Sequence, residues 1–206
     1  MAEGGSSSAI VATDFPSPLE RISKAEGYKS MGNELYKGKN YKAAIGKYHR
    51  ALLQLKDLDL SAKRKEMRSV FGVQGSSAEE QTTPPVPKEL LDQAAALETS
   101  CLNNLAACLL QQPEPNYAKV EHYCCRVLAN SPSNEKALYR KGVALYHMRD
   151  YEGAFQSLSL AQKLSSTDAN VKRYLQLCET AMNKQAKEER TRYRGMFDKM
   201  AAQGDH

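Results

Sequence analysis

The chain has 206 residues, 41% of them hydrophobic and 26% charged, enough for one domain with flanks and a buried core. Its 29 lysines and arginines against 24 aspartates and glutamates leave +5, which admits acidic partners but falls short of the concentrated basic field of a nucleic-acid binder. No apolar run approaches the roughly 20 residues of a membrane span, and residues 1–20 lack the basic start and apolar block of a secretory signal, so a soluble, cytoplasmic protein without membrane partners is expected.

Residues 1–18 are small, polar and Pro-containing, and are predicted to be a disordered tail. From Leu19 apolar residues recur three and four apart among Lys, Glu and Ala, which predicts helices over about 20–37 and 41–57. The stretch 58–87 holds the charged run AKRKEMRSV, a Gly-Ser segment and TTPPVP, and reads as a short helical extension followed by a flexible loop. Glu66 interrupts that basic run and no aromatic residues interleave for base stacking, so it is read as a solvated helix end. Helical periodicity resumes at Lys88 and predicts helices over 88–111, 117–129, 134–148 and 151–164, then a long last helix from about Asp168 to Met200. No alternating run of β-branched residues appears anywhere, so the fold class is all-α.

Self-comparison sharpens this. GNELYKGKNYKAAIGKYHRAL from Gly32 and GVALYHMRDYEGAFQSLSLAQ from Gly142 share a Leu-Tyr pair, an Asn or Asp before Tyr, and Ala at the same two later positions. A weaker copy lies between them at Leu105-Ala106, Asn116-Tyr117, Val120, Cys124 and Val127. Tyr117 and Tyr151 are 34 residues apart, the tetratricopeptide period. The 74 residues from Gly32 to Ala106 are one period of 34 plus 40 extra, which places the Pro- and Ser-rich stretch between repeats. Gly32, Ala44, Gly142 and Ala154 are the positions where paired helices can approach closely, with Tyr36, Tyr48, Tyr146 and Leu158 filling the space beside them. Asn40, Asn116 and Asp150 are placed to cap the second helix of each pair. The expected organisation is a right-handed superhelix of three helix-turn-helix repeats in 19–203. Repeat one spans about 25–57, an insertion 58–87, repeats two and three 88–166, and a capping helix about 168–200 applies Val171, Leu175, Cys178 and Met182 to the open end.

Five cysteines, at 101, 108, 124, 125 and 178, form no C-x-x-C pair, and His49, His122, His147 and His206 lack metal-ligand spacing. The cysteines are read as reduced, mostly buried thiols. No nucleophile–base constellation or phosphate-cradling loop is visible, so neither catalysis, cofactor nor metal is expected. Function then rests on the groove lined by the first helix of each pair. Lys29 and Asn33 share a face of one such helix, and Lys136 and Arg140 share a face of another. In the common register Asn104 joins them, with Asn103 beside it as the alternative. Three cations and two amides can hold carboxylates through charge-assisted hydrogen bonds.

These residues resemble the carboxylate clamp of the tetratricopeptide modules of chaperone cofactors and large immunophilins, which have Lys-x-x-x-Asn, then Asn, then Lys-x-x-x-Arg in successive repeats. KSMGN at 29–33, NLAAC from Asn104 and KALYR at 136–140 match all five positions. Through GKYHRALLQLK, NNLAACLLQ, NYAKVEHYCCRVL, ALYRKGVALYH and DANVKRYLQL the chain is similar to the small tetratricopeptide repeat protein nine family, its C member included. The resemblance implies a non-catalytic co-chaperone adaptor that binds the acidic EEVD-type C-terminal peptide of cytosolic heat-shock chaperones of the ninety- and seventy-kilodalton classes. A scaffold for a different acidic client is the alternative. Repeats one and three depart from the family pattern in having Lys56 and Ser166 where Pro is usual. The charged last helix, with Lys184, Lys187, Arg190, Arg192 and Arg194, is read as a capping and solubilising extension, because Glu188 and Glu189 dilute its positive face.

Overall fold

The computed structural model describes residues 16–70, 86–165 and 167–203. The helices are α1 (Pro18–Lys37), α2 (Tyr41–Val70), α3 (Lys88–Leu110), α4 (Tyr117–Asn130), α5 (Glu135–His147), α6 (Tyr151–Leu164) and α7 (Ala169–Gln203). No strand occurs among the described residues, and no helix there is long and apolar enough to cross a membrane.

Most of the predicted tail and loop lies outside the described residues. What is described at their edges is helical. Ser17 accepts from the amide of Glu20 at 3.3 Å while the Glu20 carboxylate accepts from the amide of Ser17 at 3.0 Å, and Pro18 supplies a preset φ at the first helical position. The helix therefore begins inside the stretch read as tail. The second helix runs on to Val70, through the start of the stretch read as a short helical extension.

Side-chain caps start α2, α4 and α6. Asn40 accepts from Ala43, Asn116 from Lys119 and Asp150 from Gly153, at 3.2, 3.0 and 2.9 Å. The turns before Asn40 and Asp150 share one geometry, in which Lys39 (φ 60°) and Arg149 (φ 67°) take the left-handed conformation. Asn40 and Asp150 then donate their amides back to the carbonyls of Leu35 and Leu145, closing α1 and α5.

Each helix packs on the next, and α1, α3, α5 and α7 also touch in series, forming a continuous inner row with α2, α4 and α6 outside it. Close approach within the α1–α2 and α5–α6 pairs depends on glycine. A Cβ on Gly32 would lie 2.6 Å from the Tyr48 ring, and one on Gly142 2.5 Å from Cγ of Leu158. Tyr48 and Leu158 are fully buried, so the gap each glycine leaves is filled by its counterpart on the second helix. One cluster joins α1, α2 and α3 around Ala44, Tyr48 and Leu105; a middle one centres on Leu102, Val120 and Val127. The third packs Ala154, Leu158 and Ala161 against Val171, Leu175 and Cys178 of α7, which closes the end of the stack, with Met182 half-buried beyond.

Candidate functional site

The inner row carries all five residues that the sequence assigns to the groove: Lys29 and Asn33 on α1, Asn104 on α3, Lys136 and Arg140 on α5. Asn33 is the best-anchored of them. Its Oδ1 accepts from the Tyr48 hydroxyl at 2.8 Å and from Nδ2 of Asn104 at 3.0 Å, so α2 and α3 both hold it. With that oxygen occupied, the group Asn33 has left to offer is its amide NH2, and Asn104 keeps one N–H of its own. Tyr48 is a dependable donor, because burial pushes its phenol up to about 12. Lys29 stands one turn before Asn33, half-buried, close enough to Cys101 for its charge to oppose the burial that pushes that thiol up to about 12.

The choice between Asn103 and Asn104 resolves into two different jobs. Asn104 is half-buried and bonded to Asn33. Asn103 is 9% exposed; its Oδ1 accepts from Nη1 of Arg140 at 3.1 Å and its Nδ2 donates to Oδ1 of Asn134 at 3.4 Å. Sequence reasoning offered Asn103 only as a substitute for its neighbour and missed the link to Arg140. It also missed Tyr48 as the support of Asn33, which no spacing within α1 could reveal.

Two clefts meet at Lys136 and Arg140. One, of about 540 Å³, is polar, lined by Thr99, Ser100, Asn103, Asn104, Asn134 and Glu135 besides the two cations. The other, of about 350 Å³, is aromatic, with Tyr36, Tyr117, Tyr139, His147 and Tyr174 around Val143. Lys29 and Asn33 lie outside both linings, and Asn33 reaches the polar cleft through Asn104. His147 stacks on Tyr117 with ring centroids 4.5 Å apart and planes 8° from parallel, and burial lowers its pKa. Burial also lowers Arg140 and raises Tyr36 and Tyr139. Among the described residues Lys29, Lys136 and Arg140 form no ion pair, so the groove presents positive charge with amide donors beside it and an aromatic-lined hollow next to them.

Among the described residues no group of three or more His, Cys, Asp and Glu could hold a metal ion. The cysteines are free thiols, Cys125 exposed and the other four buried, and burial raises Cys108 and Cys124 to about 11 and about 12.

No family model matches the chain. It is 40% identical over 174 residues to tetratricopeptide repeat protein 9C of Xenopus tropicalis, covering 84% of this chain and 92% of that one. Among solved structures it is similar to the C-terminal TPR-containing (tetratricopeptide-repeat) domain of a Plasmodium falciparum FK506-binding protein, with a TM-score of 0.64, 26% identity, and 84% and 97% of the two chains covered. It also shares the fold of the first TPR domain of Spaghetti (RPAP3), a structure bound to the HSP90 peptide SRMEEVD, with a TM-score of 0.55, 17% identity, and 79% and 95% covered.

Proposed function

The chain belongs to the tetratricopeptide repeat protein 9 family, and we propose that it is a non-catalytic co-chaperone adaptor of the cytoplasm whose groove binds the acidic EEVD-type C-terminal peptide of heat-shock chaperones. Lys29, Asn33, Asn104, Lys136 and Arg140 are the clamp. The observation that carries this reading is the set of three cations without a partner acid among the described residues, two of them on one cleft with Asn104. Positive side chains left unpaired beside fixed amide donors form a site for anions, and a peptide ending in two carboxylates, one from its last side chain and one from its terminus, meets them at once. That the same fold carries an EEVD peptide in the Spaghetti domain supports the choice of ligand.

Lys136 is exposed and Arg140 half-buried, so Lys136 makes first contact and sets the association rate, while Arg140 holds the bound carboxylate in drier surroundings. The aromatic cleft beside them receives an apolar side chain upstream. For a short extended peptide with a small interface, affinity in the range of about 1–100 µM is expected. Titration calorimetry with an EEVD-ending peptide and with its C-terminally amidated form tests the reading. The free acid binds and amidation weakens it; equal binding of the two refutes the clamp. Lys136→Glu abolishes binding of the free acid.

A further inference from the structure

Arg140 has neutral company. It is half-buried on α5, and among the described residues no aspartate or glutamate pairs with it. The groups around it are the phenols of Tyr36 and Tyr139 and the thiols of Cys108 and Cys124, all of which burial keeps protonated. A guanidinium in such surroundings needs hydrogen bonds to remain there. Its side-chain acceptor is Asn103, whose Oδ1 lies 3.1 Å from Nη1.

Asn103 is itself held from the other side. Its Nδ2 donates to Oδ1 of Asn134 at 3.4 Å, and that oxygen also accepts from the amide of Ala137 at 3.0 Å, capping the first turn of α5. The chain of bonds leaves α5 at its cap, passes through α3 and returns to α5 at Arg140. It also fixes which way the Asn103 amide points, since the flipped amide would set donor against donor at Arg140 and acceptor against acceptor at Asn134.

We infer that Asn103 is a positioning residue of the groove: its amide oxygen aims the Arg140 guanidinium at the cleft shared with Asn104 and Lys136 while leaving the charge of Arg140 free for an incoming carboxylate. This rests on the acidic-peptide reading above. An aspartate here would have nearly the same shape and would hold Arg140 at least as firmly, but it would cancel the charge that the ligand needs. An apolar residue would leave the charge and lose the aim. Only a neutral acceptor does both.

Two variants separate these effects. Asn103→Asp keeps the acceptor and adds a charge; Asn103→Leu deletes the acceptor. Asn103→Asp is expected to unfold at or above the wild-type temperature yet bind an EEVD-ending peptide about tenfold more weakly or worse. Asn103→Leu is expected to lose about threefold to tenfold. Nitrogen-15 spectra of the guanidinium supply a readout that packing alone does not move: slowed rotation resolves the Arg140 Nη signals in wild type and in Asn103→Asp, and Asn103→Leu averages them. If wild type binds the peptide and Asn103→Asp binds it equally well, the positioning role is refuted and the peptide reading stands. If Asn103→Asp fails to fold, an undiminished affinity in Asn103→Leu with averaged Nη signals refutes it in the same way. If wild type ignores the peptide, the reading fails and the inference falls with it.

Discussion

Gly142 and Gly27 look alike in the sequence and behave oppositely in the fold. A methyl group on Gly142 would meet Cγ of Leu158 at 2.5 Å and the carbonyl of Ala154 at 3.3 Å, one a fully buried side chain and the other backbone, so neither can move aside easily. Gly142→Ala is expected to destabilise by about 1–3 kcal/mol through overpacking. On Gly27 the same methyl meets nothing within 4 Å, and Gly27→Ala is expected to stabilise by about 0.5–1 kcal/mol through backbone entropy. Urea unfolding of both variants checks the pair. Spacing in the sequence already marked Gly142 as a packing glycine, because its counterpart Gly32 recurs in the same register with a large residue opposite. It could not mark Asn103 as the holder of Arg140. Adjacent residues on a helix point about 100° apart, and which of the two faces α5 depends on how α3 is rotated against its neighbours. The protonation of His147 is a second residue-scale test. Its folded pKa lies below the usual imidazole value because burial against Tyr117 disfavours the cation. The unfolded chain therefore takes up the proton first, and this contribution to stability is complete above about pH 6.5 and is lost as pH falls below it. Thermal unfolding at about pH 7.5 and 5.5 should show a fall that is smaller in His147→Phe, which stacks but does not titrate. His147 keeps an exposed edge, so the difference is modest.

At the scale of elements, the turns after α1 and α5 show where repeat symmetry exceeds what local propensity reveals. Lys39 and Arg149 stand seven residues after Gly32 and Gly142, and both adopt positive φ. Glycine is the usual marker of that conformation, and with Lys and Arg in its place the signal is absent from either turn alone. The same backbone in both turns identifies it as the geometry of these two short connections, while the longer turn between α3 and α4 does without it. Lys39→Gly and Arg149→Gly are each expected to stabilise by about 0.5–1 kcal/mol, since relief of the left-handed strain outweighs the added freedom of the unfolded chain. Chemical unfolding curves should shift in midpoint with unchanged slope, and a loss of stability in both would disprove the strain. The starts of α2, α4 and α6, by contrast, were legible, because a cap is a local device: Asn40, Asn116 and Asp150 each bond within three residues of themselves. The reach of α2 was legible only in part, as a short helical extension beyond residue 57. Its continuation to Val70 passes through the charged run that begins at Ala62, where the apolar period that marks a buried helix gives way to Lys, Arg and Glu.

For the molecule as a whole, the three buried clusters share partly buried neighbours: Leu52 and Tyr123 pack on both the first and the middle cluster, Leu128 on both the middle and the last. The core is therefore continuous from α1 to α7, and the groove lies on helices that this core joins. This distinguishes two sources of attraction for an acidic peptide. The overall charge of +5 draws any anion weakly and without orientation. In the proposed clamp Lys29, Lys136 and Arg140, which form no ion pair among the described residues, draw carboxylates to one place. Both effects weaken with salt, because the screening length falls from about 10 Å at 0.1 M to about 3 Å at 1 M. They differ in their dependence on order along the ligand. An EEVD-ending peptide and a shuffled peptide of equal charge should be titrated at about 0.05 M and 0.5 M salt, where the screening length changes by about threefold. At low salt the ordered peptide is expected to bind more tightly, and at high salt to lose affinity while keeping its advantage, since hydrogen bonds from Asn33 and Asn104 and the aromatic cleft persist when charge is screened. Convergence of the two peptides at high salt would reduce the groove to a basic surface.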